Sequence, residues 1–237
     1  MSGRHFYLNI RHKLAQLLNP GLCLGCGIPI RIDSYFCHHC DDSLQRVHNP
    51  CRCCGQPNPA SGEVCPACMH KPPKWQAMIA PLVYQQMTRK FVHQLKYAEK
   101  TELAEALAHH QAEAYRQRPV QVLMPVPLHH SRLLERGFNQ SLEIASALSR
   151  RLQIPVDRSS LQRIRPTDAQ SGLSLNQRRI NLARAFRYQP SRDYAAVAVV
   201  DDVITSGSTM TEICKLLAAN GIEYIEVWSL ARALSSR

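Results

Sequence analysis

Residues 197–209 read Val-Ala-Val-Val-Asp-Asp-Val-Ile-Thr-Ser-Gly-Ser-Thr. Two adjacent carboxylates, Asp201 and Asp202, precede a run of small hydroxyl residues, Thr205, Ser206, Ser208 and Thr209, interrupted by Gly207. Hydroxyls and loop amides can wrap phosphate oxygens. A helix opening near Ser208 would aim its free N–H groups and positive dipole end at the same anion. The carboxylates can accept hydrogen bonds from ribose hydroxyls, donors that a phosphate loop alone leaves unread. Gly207 permits a tight turn and close backbone approach. The combination suits a ribose carrying a 5′-phosphate. An ordinary helix cap needs only one small polar residue, so this run of hydroxyls exceeds a structural requirement.

A second cluster has different chemistry. Eight of the ten cysteines form four Cys-x-x-Cys pairs, Cys23/Cys26, Cys37/Cys40, Cys51/Cys54 and Cys65/Cys68, and the last two pairs repeat the first two 28 residues on. Cys26-Gly27-Ile28-Pro29 is mirrored by Cys54-Gly55-Gln56-Pro57. Each pair makes a knuckle whose thiolates face one ion, and two pairs give the tetrahedral sulfur cage of structural zinc. Two four-cysteine zinc ribbons in tandem are expected, paired most simply within each repeat, with cross-bracing between repeats as the alternative. Disulfides fit a reducing cytosol poorly, and paired knuckles match zinc better than iron–sulfur clusters. A site closed by four thiolates has no open position for catalysis. Cys53 is left over within a knuckle, and Cys214 reads as core.

The chain of 237 residues is long enough for one large or two modest domains, and its net charge of +11 favours an anionic partner without choosing between a phosphate ligand and nucleic acid. Residues 128–192 hold twelve Arg, no Lys and four acids, a net +8. Arginine is the better planar fork for phosphate oxygens. No apolar run approaches the roughly 18 residues of a membrane span, and the expected location is cytoplasmic, with peripheral contact to a membrane surface left open by the amphipathic N-terminal segment.

The elements that must position these groups follow from periodicity. Residues 1–20 read as a short amphipathic helix, 21–72 as the double ribbon, and 73–237 as the larger domain, with Pro72-Pro73 at the joint. In the larger domain, strands are expected near 79–84, 120–126, 154–161, 196–200 and 222–230. Helices are expected over 89–117 (one or two), 140–152 and 208–220, with a polar loop at 127–139 and a long basic stretch at 163–181. Alternating strands and helices imply a parallel sheet covered on both faces, with ligands beyond the C-terminal strand ends.

The 197–209 stretch resembles the binding signature for 5-phosphoribosyl 1-pyrophosphate (PRPP) of type I phosphoribosyltransferases, with Ser206 where Thr is common. Pro125-Val126-Pro127-Leu128, Arg132, and Arg136-Gly137-Phe138-Asn139-Gln140-Ser141 are similar to the ComF/GntX family. So are Thr167, Gln170, Arg178, Arg179, Asn181 and Phe186, and Gln94-Leu95-Lys96-Tyr97. The tandem ribbon belongs to the same pattern.

The resemblance implies an α/β fold: a type I phosphoribosyltransferase-like parallel sheet with flanking helices, preceded by a small tandem zinc-ribbon domain. It implies a role in natural competence, the uptake of single-stranded DNA into the cytoplasm during transformation. A competence helicase or translocase at the inner-membrane face would be the partner. Residue by residue, Asp201 and Asp202 would hold the ribose and serve catalysis, with Thr205, Ser206, Gly207, Ser208 and Thr209 on the 5′-phosphate. Arg132, Arg136 and Gly137 fall on the pyrophosphate side, and Arg165, Arg178 and Arg179 in a mobile flap. Mg²⁺ would accompany PRPP. Two alternatives stay open: an active phosphoribosyltransferase of nucleotide metabolism, and a non-catalytic PRPP sensor or single-stranded nucleic-acid binder.

Overall fold

The computed structural model describes residues 21–31, 34–58, 62–97, 101–165 and 185–235. The expected N-terminal helix and the flap residues Arg178 and Arg179 lie outside them. By contact, the chain divides into two compact units between Gln45 and Arg46.

In the first unit, strands β1 (Gly21–Leu22) and β2 (Pro29–Ile30) pair antiparallel ahead of helix α1 (His38–Asp42). The second repeat, in the second unit, has the same local build. Gly27 N–H donates to the Cys23 carbonyl and Gly55 N–H to the Cys51 carbonyl, both at 2.8 Å. Cys37 and Cys65 each stand at the N-terminal end of a five-residue helix, α1 and α2 (Pro66–His70). Gly27 and Gly55 both hold φ in the left-handed region, at 77° and 65°, where a side chain would be strained. The sequence repeat is thus a structural repeat.

The sheet of the second unit contains β3 (Ala77–Ile79), β4 (Leu82–Val83), β5 (Val122–Pro125), β8 (Ala196–Ile204) and β9 (Tyr224–Arg232). Its order is β3-β9-β8-β5, with β4 also on β9, and every pairing is parallel. An antiparallel hairpin, β6 (Leu161–Arg163) with β7 (Phe186–Tyr188), stands apart. The helices are α3 (Gln86–Tyr97), α4 (Glu102–Gln111), a 3₁₀ turn at Ala112–Tyr115, α5 (His130–Arg136), α6 (Gln140–Leu152) and α7 (Ser208–Ala219).

Val197, Ala198, Val199 and Val200 are fully buried, as a central parallel strand covered on both faces must be. Met210, Ile213, Cys214 and Leu217 of α7 close one face over Val197, Val199, Ile225 and Val227. Helix α6 lies against β5 and β8 and packs on α4. One acid breaks the apolar run of β9: Glu226 is fully buried and accepts from Arg118, the Tyr224 hydroxyl and the Trp228 indole N–H. A buried carboxylate is tolerable when its oxygens are all satisfied.

Four expectations change. The strand expected over 154–161 reduces to one bridge, Leu123↔Val156, and regular pairing begins only at Leu161. Asp157 turns the chain there, accepting from the N–H groups of Ser159 and Ser160 and the Ser160 hydroxyl. The loop at 127–139 contains α5, started by His129, whose ring accepts from the Ser131 N–H. The first strand is two short pieces, β3 and β4. The central strand does not stop at Val200; it runs through both acids to Ile204, because β9 continues to pair with it to Arg232.

The ribbon region also meets the sheet within the second unit. Met78 N–H donates to the Arg52 carbonyl at 2.7 Å, and the Trp75 indole to the Cys53 carbonyl at 2.6 Å. These bonds explain why the contact division follows Gln45, whereas the cysteine-rich composition continues to about residue 72.

Candidate functional site

Asp201 and Asp202 occupy the C-terminal part of β8 and reach different helices. Asp201 Oδ1 accepts from the Ser141 hydroxyl of α6 at 2.8 Å. Asp202 Oδ2 lies 2.7 Å from Lys96 Nζ of α3. Ser141 is aimed by Asn139, whose side-chain oxygen accepts from the Ser141 N–H and whose amide donates to the Val126 carbonyl just beyond β5. Burial and the neighbouring Asp202 charge push Asp201 up to about 7, although Ser141, the Asp202 N–H and Lys96 oppose the shift. Burial depresses Lys96, but Asp202 outweighs it and raises the ammonium above its ordinary pKa. The two carboxylates therefore differ: one is shared with a cation, the other is hard to ionise.

The chain then leaves β8 at Ile204 and turns into α7. Gly207 takes the position before the helix with φ 76° and has no side chain to cap it. Ser206 stands 2.9 Å from the Ser208 hydroxyl and accepts from the Ser208 N–H. Thr205 and Ser206 are exposed, and Ser208 and Thr209 half-buried. A helix of 12 residues thus presents its N-terminus among hydroxyls, an anion site by geometry and dipole. A cavity of about 520 Å³ opens over Thr205, Ser206 and Ser208, with Gln56, Arg232 and Ser235 on its other walls.

Several arginines stand on neighbouring elements. Arg132 and Arg136 lie on α5, and Gly137 ends that helix with φ 75°. The Arg136 guanidinium sits 5.2 Å from the centre of the Tyr97 ring, a cation–π contact that ties α5 to the end of α3. Arg163 of β6 lies over Phe186 at 5.7 Å. Burial lowers its pKa, Arg132 lowers it further and Asp201 raises it, so these three charges share one field. Arg165 is exposed beside the hairpin. The sequence alone assigns no role to Lys96, Ser141, Arg163 or Arg232. The first two stand in family-like motifs without a function; Arg163 opens the basic stretch without being singled out, and Arg232 carries no local signal.

The sulfur atoms form two quartets, Cys23/Cys26/Cys37/Cys40 and Cys51/Cys54/Cys65/Cys68, each within 4.8 Å. Pairing is thus within each repeat. The Cys26–Cys37 and Cys54–Cys65 separations are 3.7 and 3.8 Å. A tetrahedral zinc with bonds of about 2.3 Å requires sulfurs about 3.8 Å apart, so the cages fit. Burial raises the Cys23 and Cys51 thiols, but backbone N–H donors overcome it and hold them at about 6 and about 7. The donors from Cys37 and Cys65 are 28 residues apart, at 3.3 and 3.2 Å. Cys53 lies outside the quartet, and Cys214 is fully buried core.

Residues 139–237 match the phosphoribosyl transferase domain, and residues 14–69 match the double zinc ribbon domain. DNA utilization protein YhgH of Escherichia coli (strain K12) is 35% identical over 228 residues, covering 92% of this chain and 100% of that protein. Competence protein F of Haemophilus influenzae is 35% identical over 228 residues, covering 92% of this chain and 93% of that protein. The adenine phosphoribosyltransferase of Thermoanaerobacter pseudethanolicus superposes on 57% of this chain and 83% of its own, at 14% identity and a TM-score of 0.36. Among the described residues, no helix is long and apolar enough to cross a membrane.

Proposed function

The chain belongs to the family of competence protein F and the DNA utilization proteins, and from that membership we propose that it binds PRPP with Mg²⁺ and serves the uptake of single-stranded DNA in natural transformation. One observation carries the ligand: two carboxylates on a parallel strand lead directly into a hydroxyl loop and a helix N-terminus whose cap position, Gly207, has no side chain. The loop hydroxyls and first-turn amides take the 5′-phosphate. Asp201 and Asp202 accept from the two ribose hydroxyls.

Their carboxylate oxygens are the hard donors Mg²⁺ prefers, completed by ligand phosphates, and the metal would neutralise pyrophosphate charge. Binding redistributes the Asp202 carboxylate, which Lys96 holds in the free protein. Arg132 and Arg136 of α5 take the pyrophosphate, and Arg165 stands at the start of the flap.

If a nucleophile displaces pyrophosphate, positive charge develops on the ribose ring, and Asp202 supplies the compensating negative charge. Pyrophosphate release in the presence of a panel of bases distinguishes an enzyme from a binder. A second reading, direct contact with single-stranded DNA, is favoured by the +8 segment and by Arg136 stacked on the exposed Tyr97. The zinc-ribbon cysteines hold structural metal in either case.

A further inference from the structure

We propose that the second zinc site is part of the phosphate-binding apparatus, and that Arg232 is the positioning residue that joins them. This rests on the phosphate reading of the 205–209 loop. Arg232, at the end of β9, is only 7% exposed. Its Nε donates to the Cys54 carbonyl at 2.8 Å, inside the second knuckle. Its Nη1 donates to the carbonyls of Ile204 (2.8 Å), Thr205 and Ala233 (2.9 Å). One guanidinium thus spans from a metal-binding turn to the first residues of the anion loop.

All four of these acceptors are neutral carbonyls, and a buried cation needs a countercharge. A zinc ion held by four thiolates carries an excess of two negative charges, and Cys54 belongs to that quartet. The packing is equally direct. A Cβ on Gly55 would meet the Met78 sulfur at 3.2 Å and Arg232 Cδ at 3.5 Å. Gln56 adds a bond to the Ala233 carbonyl at 3.0 Å. Metal at the second site therefore fixes the turn that fixes Arg232, which fixes the carbonyls of Ile204 and Thr205. The first quartet lies in the other compact unit, and its loss is not expected to reach the loop.

Hydrogen–deuterium exchange of the full, zinc-loaded chain tests this. The wild type is compared with Cys37→Ser/Cys40→Ser, Cys65→Ser/Cys68→Ser and Arg232→Lys, with zinc content measured for each. Each cysteine variant should lose one zinc. Exchange over 203–209 should rise about tenfold in the second-site variant and in Arg232→Lys, and not in the first-site variant, while 197–200 stays protected in all. PRPP affinity should fall in the same two variants. If the 203–209 peptide is unchanged on loss of the second zinc, or responds equally to loss of either zinc, the proposal is overturned. If the second-site variant also exposes 197–200, Arg232→Lys with both zincs bound decides: an unchanged loop overturns the proposal. A wild type that fails to bind PRPP would refute the ligand reading, and loop exchange would still decide the coupling.

Discussion

Lys96 Nζ lies 2.7 Å from Asp202 Oδ2, joining the last turn of α3 to the C-terminal part of β8. The side chains are 25% and 9% exposed, between a surface pair and a fully buried one. Surface pairs contribute about 0–1 kcal/mol, and breaking a buried pair costs about 3–5 kcal/mol. Lys96→Met should therefore lower stability by roughly 2 kcal/mol. Urea unfolding of the two proteins measures it, and no loss would show that the pair is not formed in solution.

Asp201 gives a pH dependence of definite sign. Its pKa is raised to about 7 in the folded chain, against about 4 in an unfolded one. Between those values the folded state holds a proton that the unfolded state has lost, so stability falls as pH rises. The penalty is complete above about 7 and absent below the unfolded value. Asp201→Asn removes the ionisation, so its melting temperature should exceed that of the wild type at pH 8 and converge on it near pH 4. Convergence in the opposite direction would contradict the burial of this carboxyl.

The two sulfur quartets predict two zinc ions per chain. Metal analysis of the purified protein should return that stoichiometry, and cobalt substitution should give the intense absorption of tetrahedral thiolate coordination. Because thiolates must lose protons to bind metal, chelator resistance should weaken as pH falls. One zinc per chain, or none, would contradict the paired cages.

Single-stranded DNA contact predicts a salt slope. Each phosphate neutralised contributes about −0.7 to the slope of log affinity against log salt for a single strand. Arg136→Ala should make the slope shallower by about that much and also remove the cation–π contact with Tyr97. Fluorescence anisotropy with a labelled oligonucleotide reads both, and affinity independent of salt would exclude the arginine field as the contact.

The hydroxyl loop and the cysteine cages are legible because each is written in a short stretch with its own spacing. The 28-residue repeat reappears as matched N–H···S bonds to Cys23 and Cys51. The residues that orient Asp201 and Asp202 were less legible. Ser141 and Lys96 come from other helices, and neither sequence neighbourhood says which carboxylate it meets. Arg232 reads locally as one more residue at the end of an apolar strand; only the fold brings Cys54 and Thr205 to it. By sequence the apolar run of the central strand stops at Val200, yet the parallel pairing of Asp201 with Ser229 and Ile204 with Arg232 carries the strand through both acids. Val156 illustrates the reverse case: apolar composition without a continuous partner leaves one bridge.

The two acids and the hydroxyl loop are proposed to form one PRPP site. Calorimetric titration of PRPP with Mg²⁺ into the wild type and into Asp201→Ala/Asp202→Ala tests it most directly. Binding to the wild type should depend on the metal, and affinity should fall at least about tenfold in the variant, the loss of one charged hydrogen bond or more. Unchanged affinity in the folded, zinc-loaded variant would contradict it.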